Sequence, residues 1–257
     1  AVKSQIRYHG FDAEEALIEA QPAEGVAWIP TEKIEKILAE QGHEIALVLL
    51  GGVNYYSGQA FDFKRITEAA HAQSCTVAFD LAHAAGNLEL HLHEWNVDFA
   101  AWCSYKYCNA GPGGSAGCFV HERHARAFDV PRFAGWWGHD KTTRFKMTPD
   151  FQPIAGAEGW QLSNPPIFQM AALRASLAIF DEAGMANLRA KSEKLTGFLE
   201  FLLDALRDEN IAIITPRQTE ARGAQLSLRI AQNGKAMFEK LSARGVICDW
   251  REPDVIR

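Results

Sequence analysis

The amino-acid sequence predicts an α/β fold: a mostly parallel sheet with helices on both faces, followed by a smaller α+β domain. Helix-like and strand-like segments alternate through the first half of the chain, which is typical of βαβ units. The run 45–53, IALVLLGGV, is apolar at every position, as in a strand buried on both faces of a parallel sheet. Beyond residue 183 a long helical segment leads into short strand candidates, which favours a second domain.

The elements of the first domain follow from spacing and end signals. Residues 31–42 are expected to form a helix, because Thr31 can cap it, apolar residues recur at helical spacing and Gly42 can end it. The next predicted elements are, in order, strand 44–52, helix 63–74 and strands 76–80, 99–105 and 117–122. An irregular stretch rich in tryptophan, phenylalanine and proline then runs to about residue 166, and long loops of this kind are usually functional or form interfaces.

The second domain is expected to begin after a helix break at Gly184. Helix 167–182 is still expected in the large domain. The second domain is expected to contain helices 185–208 and 234–243 and strands 211–216, 224–231 and 246–250. The interpretation is a large domain at 1–183 and a small domain at 184–257. The chain opens without methionine and closes on the extended-looking REPDVIR, so we expect a piece of a longer protein, incomplete at both ends.

Composition excludes several classes of function. Twenty-six basic against 32 acidic residues give a net charge of -6, which argues against broad binding to nucleic acid or anionic membranes. No apolar run approaches the roughly 20 residues of a membrane helix, and no signal segment opens the chain, so a soluble cytoplasmic protein is predicted. Five cysteines without a CxxC pair indicate reduced thiols, and HLHEW and HERH lack metal-ligand spacing, so no metal is predicted.

Two polar segments follow neighbouring strand candidates. In FDLAHAAG, Asp80 ends a strand and His83 lies three residues on; in SYKY, Lys106 comes just after the next strand, 26 residues beyond Asp80. Ligands of parallel sheets bind beyond the carboxyl ends of the strands. An acid and an amine are therefore expected to face one pocket.

A carboxylate and a lysine amine are the two groups that pyridoxal phosphate requires of a protein. The carboxylate keeps the pyridine nitrogen protonated, and the amine condenses with the aldehyde. Tyr105, next to the lysine, adds a hydroxyl that could move a proton near the reacting carbons.

Each of these residues alone has a simpler interpretation. Asp80 could be a turn former or helix cap, His83 a core or loop histidine, and Lys106 a surface charge. The glycines at 111, 113 and 114 could merely turn the chain, since they match no phosphate-loop pattern. Only their combination on successive strands favours the cofactor.

At this point the sequence resembles the kynureninase family, whose members are pyridoxal-phosphate enzymes of the aminotransferase-like fold. The resemblance lies in FDLAHAAGNLELHLHEWNVDFAAWCSYKYCNAGPGGSAGCFVHE, GWWGH, TRFKM and LSNPP, and it extends from GGVNYYSGQ near residue 51 to VICDWREPDVIR at the end. The D-x-x-H and S-x-K elements fit many related enzymes. The combination of SYKYCNAGPGG and GWWGH is much more specific to the kynureninase family.

The resemblance implies roles for the residues around the lysine. Lys106 would bond covalently to the cofactor aldehyde, Asp80 would hold the pyridinium nitrogen, and His83 would belong to the same contact set. Tyr105 would contact the cofactor phosphate and donate a proton.

The resemblance also implies roles for more distant residues. Trp136 and Asn164 match positions that contact the cofactor, reaching the neighbouring subunit of a homodimer, and Asn164 is counted among the substrate contacts too. Arg257 matches an arginine that receives the substrate α-carboxylate, a pairing that suits the guanidinium fork. For GWWGH, plain burial of a tryptophan in the core remains the alternative.

The implied reaction is hydrolysis of L-kynurenine, or its 3-hydroxy form, to an anthranilate and L-alanine in tryptophan catabolism and NAD biosynthesis. Gly51 stands where relatives carry serine or threonine, and the phosphate-binding loop and the ring-stacking aromatic residue of the family precede the matched region. Two alternatives remain open: another enzyme of this fold, such as a cysteine desulfurase or aminotransferase, or a catalytically incomplete fragment.

Overall fold

The computed structural model describes residues 1–257 and contains two four-stranded sheets. The helices are α1 (Val2–Tyr8), α2 (Thr31–Gln41), α3 (Phe63–His71), α4 (Ile167–Ala183), α5 (Met185–Leu206) and α6 (Gly234–Ala243). The strands are β1 (Leu47–Gly51), β2 (Thr76–Asp80), β3 (Phe99–Cys103), β4 (Ala116–Val120), β5 (Ile211–Ile213), β6 (Leu228–Ile230), β7 (Trp250–Arg251) and β8 (Val255–Ile256). No helix is long and apolar enough to cross a membrane.

The first sheet has the strand order β1-β2-β3-β4. Strands β1, β2 and β3 are parallel, and β4 runs antiparallel to β3 as its hairpin partner. The register places Gly51 beside Asp80, and Asp80 beside Ala101, at the carboxyl edge. The predicted α/β class with a mostly parallel sheet is confirmed.

One face of this sheet carries the main core. Ile34 and Leu38 of α2 and Ile66 of α3 pack with strand residues such as Val77 and Phe79 in one buried cluster. Helix α3 begins where the side chain of Asp62 accepts a hydrogen bond from the backbone N–H of Arg65, as an N-cap does. The amphipathic spacing of both helices therefore places them on the same face.

The opposite face of the sheet is less covered within this chain. It is an apolar surface lined by Leu49, Ala78, Phe99, Ala101, Cys118 and Val120, and no helix among residues 1–257 covers it apart from the short turn that carries Trp160. Leu49 is 47% exposed. A strand with apolar side chains on both sides indicates that both faces of its sheet are favourably buried. The sequence of the strand does not show which segment packs on each face.

The second sheet is antiparallel, with the order β5-β6-β8-β7. The helix break at Gly184 is confirmed, and this glycine has a φ of +75° between α4 and α5. The predicted strand 246–250 is wrong: strand β7 starts only at Trp250, and Val246 and Ile247 are exposed in the loop after α6. Two adjacent β-branched residues mimicked a strand without a partner to pair with.

The segment at 53–60 connects the two sheets through hydrogen bonds. The backbone N–H of Gly223 donates to the carbonyl of Gly58, and Ser227 Oγ donates to the carbonyl of Tyr56. The Gln225 amide also donates to the carbonyl of Tyr55 at 3.1 Å. The carboxyl edge of the first sheet thus faces the second sheet. The domain boundary at 183/184 stays a prediction.

Candidate functional site

The site lies where β1, β2 and β3 end. Asp80 is the last residue of β2, and Lys106 lies just beyond the end of β3. Both line a cavity of about 530 Å³ with His83, Gly51 and Arg257. The structure therefore brings together the predicted acid, histidine, amine and guanidinium, which lie in different segments of the chain.

A second cavity, of about 610 Å³, shares His83, Lys106 and Arg257 with the first. Its other lining residues come from the lysine loop, from α4 and α5 and from the second sheet, and include Tyr107, Phe180, Gln225 and Asp249. Volumes of this size suit small organic ligands. Lys106 is thus positioned between two connected spaces at the junction of the two sheets.

The amine of Lys106 has no ion pair or hydrogen bond in the chain; its nearest aromatic neighbour is the Tyr105 ring, 6.0 Å from Nζ to the centroid. The loop that carries it is held by backbone bonds from Asn109 to Lys106 and from Ala110 to Ser104. Gly114 must be glycine, because a Cβ there would lie 2.7 Å from Ser104 Oγ. The glycines of this loop therefore permit a close turn that presents the lysine.

Asp80 has no cationic partner. Its Oδ1 accepts a hydrogen bond from the backbone N–H of Ala82 at 2.8 Å, a short turn that fixes the carboxylate at the strand end. The side chain is exposed toward the cavity that it lines. Both a carboxylate and an amine thus stand without partners at one edge, which is unusual for charged groups that serve only structure.

His83 lies between Tyr55 and Tyr107, with ring centroids 6.4 and 6.1 Å away. Its Nδ1 is buried and has no hydrogen-bond partner. Burial lowers the pKa of His83 to about 4, and the positive charges of Lys106 and Arg257 add to this, outweighing the opposite effect of Asp80. The imidazole is therefore neutral at neutral pH, with one ring nitrogen available to a ligand.

This neutral state gives a testable prediction. In the cofactor-free protein, the ring of His83 should titrate near pH 4 in histidine-resolved NMR spectra. Because the folded-state pKa lies below the unfolded value of about 6.5, the contribution of His83 to stability falls as the pH drops below that value. A titration near 6.5 would contradict the described burial.

Arg257 enters the site from the end of the second sheet and is 14% exposed. Its Nε donates to Asp249 Oδ2 at 2.7 Å, and Nη1 donates to the carbonyl of Tyr55. Neither partner was predicted, and Arg251, which also lines the cavity, was missed as well. The sequence pointed to Tyr55, Asp249 and Arg251 only in that they lie in the segments GGVNYYSGQ and VICDWREPDVIR, which carry the resemblance.

Comparison with known proteins shows which proteins this chain is similar to. The kynureninase C-terminal domain model matches residues 188–257. The chain is 62% identical over all 257 residues to the kynureninase of Koribacter versatilis (strain Ellin345) and 62% identical to that of Myxococcus xanthus (strain DK1622). The chain is thus similar to kynureninases along its whole length. It spans 61% and 60% of the lengths of these two relatives.

Solved structures confirm the aminotransferase-like fold. A cysteine desulfurase from Thermococcus onnurineus NA1 matches with a TM-score of 0.72 at 17% identity, over 96% of this chain and 58% of the other. An alanine–glyoxylate aminotransferase from Nostoc sp. matches with a TM-score of 0.64 at 21% identity, over 93% and 61%. A C-DES variant solved with glycine covalently linked to its PLP cofactor matches with a TM-score of 0.72 at 19% identity, over 91% and 60%.

Tyr105, to which the kynureninase resemblance gives two roles, lines neither cavity and is 53% exposed. Interaction with the neighbouring Cys103 side chain raises the pKa of Tyr105. The phenol therefore keeps its proton at neutral pH.

Trp136 and Asn164 are also outside both cavities of this chain, and both are exposed. Trp136 Nε1 donates to the carbonyl of Arg144 at 3.3 Å, and its ring contacts Phe145 edge-on. At 50% exposure, Trp136 is not a core residue. The kynureninase-family roles of these two residues require a site other than the one their own chain forms.

Gly51 lines the first cavity beside Asp80. A Cβ at this position would lie 3.7 Å from the carbonyl oxygen of Val53, an ordinary contact. The serine or threonine that the kynureninase resemblance expects at this position would therefore fit this backbone.

Proposed function

We propose that the whole protein hydrolyses L-kynurenine, or 3-hydroxy-L-kynurenine, to anthranilate, or 3-hydroxyanthranilate, and L-alanine, with pyridoxal phosphate as cofactor. The observation that carries this is the cavity shared by Asp80, His83, Lys106 and Arg257 in a chain that is 62% identical to kynureninases along its whole length. The place of the reaction is tryptophan catabolism.

The residues at the cavity fit the cofactor. Lys106 offers an amine without an ion pair for the aldehyde, Asp80 a carboxylate without a cation for the pyridine nitrogen, and His83 a buried Nδ1 without a partner. When bound there, pyridoxal phosphate supplies an electron sink for negative charge that develops on substrate carbons.

The side chains supply binding and proton transfer. Arg257 binds the α-carboxylate, and Lys106 takes the proton from the substrate Cα, since no acid holds its amine. Asp80 keeps the pyridine nitrogen protonated, and His83, neutral at neutral pH, adds no positive charge that would oppose this.

Cleavage of the Cβ–Cγ bond follows addition of water to the γ-carbonyl. Tyr105 donates a proton to Cβ, which becomes the methyl group of alanine, and the raised pKa of its phenol keeps that proton available.

A direct assay tests this function. The whole protein, incubated with pyridoxal phosphate and L-kynurenine, should release fluorescent anthranilate and one L-alanine for each substrate consumed. Parallel incubations with L-cysteine and with an amino-acid and oxo-acid pair test the desulfurase and aminotransferase alternatives. Faster turnover of either alternative, or no anthranilate, would refute the proposal.

We propose further that two copies form a homodimer with shared active sites. The α4 residues Ile167 and Phe168 are 77% and 88% exposed, and Phe145 and Met147 are 74% and 80% exposed. Large exposed apolar side chains in this number favour a protein interface. A partner covering them would also give Trp136 and Asn164 a second site to enter.

Mixing two inactive variants tests the shared site. Lys106→Ala and Asn164→Ala remove groups that the proposal assigns to the same site but to different chains. We expect activity to reappear when the two variants are unfolded together and refolded, because mixed dimers regain one intact site. If each variant is inactive and the mixture stays inactive despite mixed dimers by mass spectrometry, the two residues serve the same chain.

The cytoplasm is the proposed compartment. All five cysteines are unpaired, and Cys118 is exposed, which suits a reducing environment.

A further inference from the structure

Asp249 lies between two arginines at the edge of the cavity. Its Oδ2 accepts a hydrogen bond from Nε of Arg257 at 2.7 Å and forms an ion pair with Nη2 of Arg251 at 2.8 Å. The backbones of Asp249 and Arg257 also exchange two hydrogen bonds, at 2.8 and 2.9 Å. The carboxylate is thus held on a fixed frame next to the guanidinium.

These contacts determine which edge of Arg257 remains free. Asp249 occupies Nε, and the carbonyl of Tyr55 occupies Nη1, to which Gln225 Oε1 makes only a long contact of 3.4 Å. Nη2 has no partner. The side edge of the guanidinium is therefore closed to a ligand carboxylate. The Tyr55 carbonyl takes one of the two N–H groups of Nη1, so the outer edge, formed by Nη1 and Nη2, can still donate to a carboxylate if Gln225 moves aside.

The charges of the trio agree with this arrangement. Burial raises the pKa of Asp249, but the hydrogen bond and charge of Arg257 and the charge of Arg251 outweigh burial and lower it. The carboxylate is thus ionised at neutral pH. Two guanidinium groups and one carboxylate leave one net positive charge at the cavity, enough for one substrate carboxylate.

We propose that Asp249 is a positioning residue, which turns the outer edge of Arg257 toward the cavity for the α-carboxylate of an amino-acid substrate. This rests on the proposed function in one respect only, the carboxylate-binding role of Arg257. Arg251 supports the arrangement by pairing with Asp249, so that Asp249 does not neutralise Arg257 completely. Asp249 itself touches neither substrate nor cofactor.

L-Alanine and ethylamine provide the test, because they differ only in the carboxylate. Titration calorimetry on the cofactor-loaded whole protein should show that Asp249→Asn and Asp249→Ala weaken L-alanine binding by about 10-fold, the usual effect of losing a charged hydrogen bond. Ethylamine binding should stay unchanged. For L-kynurenine, KM should rise by a similar factor, while kcat changes little.

Asp254→Asn is the matched control, since Asp254 lies on the same hairpin and pairs with Arg229 at 3.7 Å, away from the cavity. It should leave both ligands unaffected. The isosteric Asp249→Asn should keep the wild-type melting temperature, which separates positioning from loss of fold. Equal weakening of both ligands, or unchanged L-alanine binding in both Asp249 variants, would overturn the proposal.

The outcome is separable from that of the proposed function. A wild-type protein that releases no anthranilate but binds L-alanine through Asp249 would refute kynurenine hydrolysis and retain the positioning role. A wild-type protein that hydrolyses kynurenine but binds L-alanine and ethylamine equally well would retain kynurenine hydrolysis and refute the positioning role.

Discussion

Replacing Lys106 with alanine is expected to lower anthranilate release from L-kynurenine by at least about 10³-fold, because the variant loses both the covalent attachment and the base. Lys106→Arg should be equally inactive, since a guanidinium keeps the charge but does not condense with the aldehyde. Initial rates at saturating cofactor measure the effect. Either variant retaining a tenth of the wild-type rate would contradict the assignment.

A second measurement checks that the Lys106 variant is folded and that its charge is gone. The positive charge of Lys106 contributes to the lowered pKa of His83, so in cofactor-free Lys106→Ala this pKa should move upward from about 4. Lys141→Ala is the control: this exposed lysine pairs with Glu158 at 3.1 Å, far from the cavity, and should change neither the rate nor the titration.

The cavity could be predicted because parallel strands impose a simple rule. The carboxyl ends of β2 and β3 lie at the same edge, so Asp80 and Lys106 had to meet although 26 residues separate them. Turn chemistry supported this, since the glycines after Lys106 allow the tight loop that the structure shows. Arg257 was different: only the family resemblance singled it out.

What the sequence did not reveal depends on contacts between distant segments. Arg257 donates a hydrogen bond to the backbone carbonyl of Tyr55, which lies 202 residues away in the sequence. Every residue has a backbone carbonyl, so the amino-acid types do not reveal this contact. Asp249 looked like any polar residue between apolar neighbours. The helices expected on both faces were inferred from strands such as 44–52, whose composition indicates burial without naming the covering segment.

The second large effect is expected at Asp98, at the opposite end of β3 from Lys106. Its carboxylate is 4% exposed and accepts hydrogen bonds from the backbone of Val77 at 2.8 Å, from Arg123 at 2.7 Å and from two histidines. These are His71 and His124, whose Nε2 atoms lie 2.8 and 2.6 Å from its oxygens. One carboxylate thus joins α3, β2 and the turn after β4.

Asp98→Asn should destabilise the fold by about 2 to 3 kcal/mol at pH 7. Breaking a buried ion pair costs about 3–5 kcal/mol, but the partner side chains are 24% to 33% exposed, so water compensates part of the loss. Urea unfolding of the whole protein, followed by tryptophan fluorescence, measures the difference. Asp181→Asn, an exposed aspartate on α4, should have no effect.

The pH dependence of this difference distinguishes the charge of Asp98 from its shape. Burial raises the pKa of Asp98, but hydrogen bonds from His124, His71, Val77 and Arg123 outweigh burial and hold the pKa well below its usual range. A carboxyl group with a lowered folded-state pKa stabilises fully above its unfolded value of about 4, and that contribution is lost as the pH falls below it. The gap between wild type and Asp98→Asn should therefore shrink below pH 4. A gap that persists unchanged to pH 2.5 would mean that packing around Asp98, rather than its negative charge, holds these elements together.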